Sequence, residues 1–421
     1  MEGGASQISG PPSLGLFDAY GVELEYMIVG AADLDVRPVA DALLRAEAGT
    51  TVNEVVRDGI GWSNELVLHV VELKTAEPVG ALGGLAGRFQ RQVRDVNARL
   101  EPMGARLLPG AMHPWMDPDR ETVLWPHGHS EVYAAFDRVF GAKGHGFANL
   151  QSAHLNLPFQ GDLEFGRLHA AVRLVLPLLP AISASSPVAD GRVTGALDTR
   201  LSNYKVNQRA IPSISGDVIP EPIWTVADYR ALLERMYRDI RPLDPLGTLQ
   251  HEWLNSRGAI ARLERGSIEV RTLDVQEHPA ADLAVITALV AALRDLVAER
   301  DRPLVEQQAV ATSRLVAPWQ RAVREGGATR IDDAGYLALF GYPRTTATLD
   351  ELWRHLVNRA WPTGVEPEVV RARDTIMEHG CLAARLVDAL GPPPHPRTAL
   401  REVWSELAAC LAAGRSFEAH G

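Results

Sequence analysis

The chain has 421 residues, with 42 Lys+Arg against 53 Asp+Glu and a formal net charge of −11. That acidic balance excludes a nucleic-acid or anionic-membrane surface as the main partner, since both require a basic face. The composition, 46% hydrophobic and 23% charged, is that of an ordinary globular protein, and two cysteines exclude a disulfide framework or a Cys-rich zinc site.

Residues 1–16 are rich in Gly, Ser and Pro and are expected to be a flexible start. They carry neither the basic n-region nor the apolar h-region of a signal peptide. Order is expected from residue 17. Residues 21–29 (GVELEYMIV) alternate polar and apolar with period two, which predicts a half-buried strand. Residues 64–75 are β-rich, a helix follows over 85–100, and 105–111 reads as another strand. A helix over 131–140 runs into the Gly-rich segment GAKGHG at 141–146, and 148–157 (ANLQSAHLNL) reads as a strand. Helical sequence covers 163–182, broken near Pro177 and Pro180.

Residues 183–222 are loop-like and too long for a simple connection, so they are either functional or only partly irregular. A helix is predicted over 226–240 and a clear strand over 267–275 (SIEVRTLDV). From residue 280 helical periodicity dominates, with helices over roughly 280–299, 302–325, 347–360, 366–390 and 397–414. Strands spread through the first two thirds, ahead of a helical remainder, indicate an α+β fold. The division expected is a catalytic body over 17–300 and a helical segment over 301–421. The apolar runs at 168–182 and 283–293 are too short or too interrupted for a bilayer, which needs about 20 apolar residues. A cytoplasmic location without a membrane partner is therefore expected.

No phosphate-binding loop of the G-x-x-x-x-G-K-[ST] form occurs. GAKGHG either touches a phosphate or is a turn, and His127 and His129 form a loop pair without a third ligand at a recognisable spacing. Acidic residues on strands carry more information. Residues i and i+2 of a strand share a face, so Glu23 projects with Glu25, Glu269 with Arg271, and His154 with Asn156. One such strand is an ordinary solvated face. Three with the same design suggest one polar sheet face that gathers carboxylates, a histidine and an arginine. Carboxylates so gathered need cations between them, and hard oxygen donors suit Mg²⁺ or Mn²⁺ serving a phosphate.

The segments GVELEY, NELVLHVVELKT, SAHLNL, TRLSNYKVNQ and SIEVRTLDVQEHP, in that order, resemble the glutamate–cysteine ligase and carboxylate–amine ligase family of glutamine-synthetase-like enzymes. The resemblance covers about residues 17–300. It implies a curved antiparallel sheet with helices packed outside, whose concave face takes ATP, Mg²⁺ (or Mn²⁺) and glutamate. The metal ligands it implies are Glu23, Glu25, Glu65, Glu72, His154 and Glu269. Arg271 would contact the transferred phosphoryl group and Arg200 the substrate carboxylate, with Asn156 completing an H-x-N strand.

Glu65 and Glu72 are seven apart and would face opposite ways on a regular strand. Either a bulge or bend intervenes, or only one of them binds metal. The only lysines are Lys74, Lys143 and Lys205 in an otherwise arginine-based set of cations. Lys74 and Lys205 lie beside implied site residues and are candidate contacts for a nucleotide phosphate, against the alternative of chance survival under codon bias. The reading is an ATP-dependent ligase joining glutamate, or a related acid, to cysteine or another amine. Its rivals are a metal-dependent hydrolase on the same carboxylates and a degenerate ATP-binding regulatory homologue. The oligomeric state is not legible.

Overall fold

The period-two segment near the start forms a ten-residue strand, β1 (Gly21–Gly30). The computed structural model describes residues 14–418, so most of the expected flexible start lies outside the described residues. Three further strands, β2 (Glu54–Arg57), β3 (Ile60–Asn64) and β4 (Val70–Thr75), form an antiparallel meander that ends against β1. β5 (Ala105–Leu108) pairs with the far half of β1, while β6 (Ser152–Pro158) pairs with its first half. A separate small hairpin, β7 (Val188–Ala189) and β8 (Arg192–Val193), precedes the last two strands of the main sheet, β9 (Ala259–Arg262) and β10 (Ser267–Asp274). The main sheet runs β2-β3-β4-β1-β6-β10-β9, antiparallel throughout.

The alternation has the expected consequence. Val22, Leu24, Tyr26, Val71, Leu73, Leu155, Ile268 and Val270 are all buried on one face of the sheet. They share a core with Phe89 and Val93 of the Leu85–Leu100 helix, Phe165 and Leu168 of the Gly161–Val175 helix, and Leu283 and Ile286 of the Pro279–Val297 helix. The last of these helices is buried nearly all round, as an apolar sequence without a polar stripe requires. The same core takes in Leu349, Trp353 and Ile376 from the helical C-terminal third. A second cluster packs Leu386, Trp404 and Leu407 against Met27, Val29 and Leu108 at the far end of β1.

The α+β architecture and helical C-terminal part agree with the sequence reading, while several boundaries move. The β-rich run at 64–75 is two strands, because β3 ends at Asn64 and β4 begins at Val70. The strand expected over 148–157 begins only at Ser152, after a helical turn at His145–Ala148. Helix 302–325 divides into Leu304–Gln308 and Thr312–Glu325, and helix 366–390 into Pro367–His379 and Leu382–Leu390. Gly380 breaks the latter with φ +81°, a left-handed conformation that glycine adopts without steric cost. The stretch over 183–222 is partly irregular and also contains the Thr199–Tyr204 helix. Among the described residues, no helix is long and apolar enough to cross a membrane.

Candidate active site

The polar face of the sheet opens into a cleft of about 1230 Å³. Strand register decides which side chains meet there. Glu23 lies opposite Lys74 on β4 and opposite His154 on β6, while Glu25 lies opposite Glu72. Asn156 lies opposite Gly21 on one side and Glu269 on the other. A Cβ at Gly21 would sit 3.0 Å from the Asn156 Cβ, so glycine gives the asparagine its room.

Two acidic groups can each hold a cation. The ligand atoms of Glu25, Glu65 and Glu72 lie within 4.8 Å of one another, as do those of Glu23, Glu72 and His154. Glu65 joins them because it lies just beyond β3, in the turn before β4, rather than on a continuous strand with Glu72. The break between strands resolves the opposed facing that a regular strand would impose. Burial first, and then Glu72 and Glu25, push the Glu65 carboxyl well above its usual range. Burial, then Glu23, push Glu72 up to about 7, although Ser63 Oγ donates to it at 2.6 Å and Lys74 Nζ lies 2.9 Å away. Crowded, desolvated carboxylates of this kind are what a hard divalent cation relieves.

His154 holds the centre of the sheet. Its Nδ1 donates to Glu23 Oε2 at 2.8 Å and its Nε2 to Ser152 Oγ at 2.8 Å. Ser152 Oγ in turn donates to Glu25 Oε2 at 3.0 Å, and the Ser152 backbone N–H donates to the same oxygen at 2.7 Å. Burial opposes a charge on His154, but the Glu23 hydrogen bond and the charges of Glu25 and Glu23 outweigh it, raising its pKa to about 9. For Glu23 the burial cost is likewise outweighed, by the hydrogen bond and charge of His154, leaving the carboxyl at about 2. Asn156 Nδ2 donates to Glu23 Oε1 at 3.0 Å, so this asparagine steadies a carboxylate as well as facing the cleft.

The far side of the cleft is basic. Arg271 Nε lies 3.0 Å from Glu269 Oε1, and Arg262 Nη1 donates to Glu269 Oε2 at 2.7 Å. Arg271 also donates from Nη1 to the Asn255 carbonyl at 3.2 Å. Burial opposes the Arg271 charge, but Tyr204, Glu269 and the β1 carboxylates raise its pKa further. Arg200 is buried against Asp274 and lines the cleft near Arg271, whose backbone carbonyl it reaches at 3.3 Å.

Not every candidate is brought into this assembly. Lys74 lines the cleft but is held between Glu72 and Glu54, at 2.9 and 3.3 Å. Lys205 is exposed and does not line it. His127 bonds Asp41 at 3.0 Å while His129 faces the cleft, so the two do not converge on one metal. Lys143 and His145 of the Gly-rich segment line a different cleft with Trp115 and Arg397. Sequence reasoning gave no role to Ser63, Ser152, Arg262 or Asp274, nor to Tyr133, which lines the cleft and whose hydroxyl accepts from Asn64 Nδ2 at 2.9 Å. Ser152 and Asp274 lay in segments that carried the resemblance, SAHLNL and SIEVRTLDVQEHP, but what they meet, like the partner of Ser63, is set by a register that pairing alone reveals.

The sequence profile of glutamate–cysteine ligase family 2 matches residues 19–406. An uncharacterized protein of Archaeoglobus fulgidus is 36% identical over 257 residues, 61% of this chain and 69% of that protein. The chain spans about half the length of further relatives it matches in Bordetella avium and Pseudomonas aeruginosa. A glutamate–cysteine ligase from Francisella tularensis, solved in complex with AMP, has the same fold, with a TM-score of 0.63 at 12% identity over 97% of this chain and 91% of that one. A bifunctional glutathione synthetase from Pasteurella multocida shares it with a TM-score of 0.53 at 16% identity, over 95% of this chain and 52% of that one. The chain belongs to glutamate–cysteine ligase family 2.

Proposed function

We propose that the protein is an ATP-dependent ligase that joins the γ-carboxylate of glutamate, or a related acid, to an amine through an acyl phosphate. The observation that carries this reading is the convergence of Glu23, Glu25, Glu65, Glu72 and His154 with Arg200 and Arg271 in one cleft. Family membership and the AMP complex of the Francisella tularensis protein support the nucleotide.

A carboxylate is a poor electrophile because its oxygen is a poor leaving group. In the first step a carboxylate oxygen bonds the γ-phosphorus of ATP and the bond to ADP breaks. In the second the amine nitrogen bonds the acyl carbon, the carbon–oxygen bond to phosphate breaks, and the nitrogen loses a proton. Divalent cations held by Glu23, Glu25, Glu65, Glu72, His154 and Glu269 would supply charge neutralisation at the phosphates. Arg271 presents a planar guanidinium to the transferring group, already aligned by Glu269 and Asn255. Arg200 receives a substrate carboxylate, and Lys74 keeps Glu72 in place.

All of these residues fall between 23 and 271, so we assign catalysis to the 17–300 body. The two cysteines, free and buried, fit the reducing cytoplasm we assign to the protein. The test is ADP release with glutamate and a panel of amino acids and amines, cysteine included, in Mg²⁺ or Mn²⁺. Release that requires both glutamate and an amine, and that stops on chelation, is expected. ATP-independent turnover supported by zinc would mark a hydrolase, and ATP binding without turnover under any amine a regulatory homologue.

A further inference from the structure

β10 contains one residue more than its partner strand allows. Glu269 and Val270 pair with Asn156 and Leu155, but Leu273 and Asp274 pair with Ala153 and Ser152, one step out of register. On a regular strand Asp274 would share the core face of Ile268 and Val270. The bulge reverses the alternation and turns Asp274 to the side of Ser152, whose hydroxyl bonds Glu25. An acid that periodicity assigns to the core thus lies beside the cleft wall.

Both of its carboxylate oxygens are occupied there. Oδ1 accepts from Arg200 Nε, and Oδ2 accepts from the Ser185 backbone N–H and from Ser186 Oγ, each at 2.8 Å. The Arg200 and Asp274 side chains are 1% and 0% exposed. Arg200 rides on the Thr199–Tyr204 helix, whose first turn is fixed by Asp198 accepting from the Leu201 backbone N–H at 2.8 Å. With Nε clamped and Nη1 at the Arg271 carbonyl, Nη2 is buried without a hydrogen-bond partner among the described residues, in a side chain that lines the cleft. Unspent donors on a buried guanidinium are costly, and an oxyanion arriving at that edge would satisfy them.

We propose that Asp274 is a positioning residue that clamps the Nε edge of Arg200 and so holds its Nη edge toward the cleft as a preformed seat for a carboxylate of the acid substrate. The inference rests on the ligase reading for the identity of that acid. The Ser185 and Ser186 bonds make the seat rigid, because they prevent Asp274 from following Arg200 if the guanidinium swings. The bulge is then the device that brings the clamp to the correct face.

The experiment titrates L-glutamate, and separately ADP and inorganic phosphate, into the full chain with Mg²⁺ by calorimetry, alongside ADP-release kinetics. Asp274→Asn keeps the shape of the side chain and removes its charge. It should weaken glutamate binding and raise the glutamate KM by about tenfold or more, with kcat less affected. ADP affinity should stay within about twofold of wild type on the same reasoning. Unchanged glutamate affinity overturns the proposal, and so does a parallel loss of glutamate and ADP binding, which is the mark of a merely structural ion pair. Weakening confined to the phosphate arm also overturns it, since the seat would then belong to a phosphoryl group. Should Asp274→Asn fail to fold, Ser186→Ala leaves the ion pair and removes one anchor of Asp274 together with the acceptor of the Arg200 backbone N–H at 3.1 Å. A selective loss of glutamate affinity of about threefold is then expected, and none refutes the clamp. Wild-type protein that binds glutamate but never releases ADP sinks the ligase reading while leaving the role of Asp274 intact.

Discussion

Replacing Arg271 with lysine separates its two roles, because the structure divides its donors between them. Nε serves Glu269 at 3.0 Å and Nη1 the Asn255 carbonyl at 3.2 Å, and the side chain lines the cleft. A lysine ammonium can take up the pairing with Glu269 but cannot present a planar two-pronged edge to a phosphoryl group at the same time. Losing one preorganised donor of that kind should lower kcat by at least about 30-fold, or about 2 kcal/mol of transition-state stabilisation. Stability should change far less. Glu269 keeps Arg262 at 2.7 Å and is never left as a lone buried charge. The forfeited carbonyl bond is worth about 1 kcal/mol, a Tm change of no more than about 2–4 °C. Steady-state ADP release at saturating substrates measures the first quantity and calorimetric melting the second. A kcat within about threefold of wild type would refute the reasoning and reduce Arg271 to a partner of Glu269.

Glu269→Gln should lower turnover by about two orders of magnitude because it removes the carboxylate that gathers Arg262 and Arg271; a normal rate at saturating metal would reduce Glu269 to a structural partner of those arginines. Lys74→Ala should raise the metal concentration needed for activity, since Lys74 steadies Glu72, whereas Lys205→Ala should leave the apparent ATP affinity unchanged, and a raised KM for ATP in the latter would mean that the loop closes on the nucleotide. Burial lowers the pKa of His69, His113 and His278 to about 4 in each case. The folded chain then refuses protons that the unfolded chain accepts below about pH 6.5. Their contribution is therefore complete above that pH and is lost as pH falls toward 4, by up to about 3 kcal/mol per histidine. Glu65, Glu72 and His154 act in the opposite sense, so the test is a comparison. Between pH 7.5 and pH 5 wild type should lose more stability, or gain less, in urea unfolding than His69→Gln, and an identical pH dependence would contradict it.

Much of the site was legible before folding because a strand has a period of two. That period alone puts Glu23 with Glu25, His154 with Asn156 and Glu269 with Arg271, and leaves Val22, Leu24, Ile268 and Val270 for the core. What it cannot supply is register, because antiparallel pairing joins residues far apart in the chain. Only the pairing sets Glu72 against Glu25 and Glu23 against His154, converting three separate polar faces into one acidic cluster. Only the break between β3 and β4 lets Glu65 join Glu72. The lysines show the same limit, since proximity in sequence treated Lys74 and Lys205 alike while a strand end and a helix end send them to different environments.

Asp274 marks the boundary most clearly. The chain itself determines an α+β fold, the polar faces of its strands and the chemical kind of their side chains, because these follow from local periodicity and composition. The tertiary structure decides which of those side chains meet, because one inserted residue in β10 reverses a face, and no period read along a single strand contains that information.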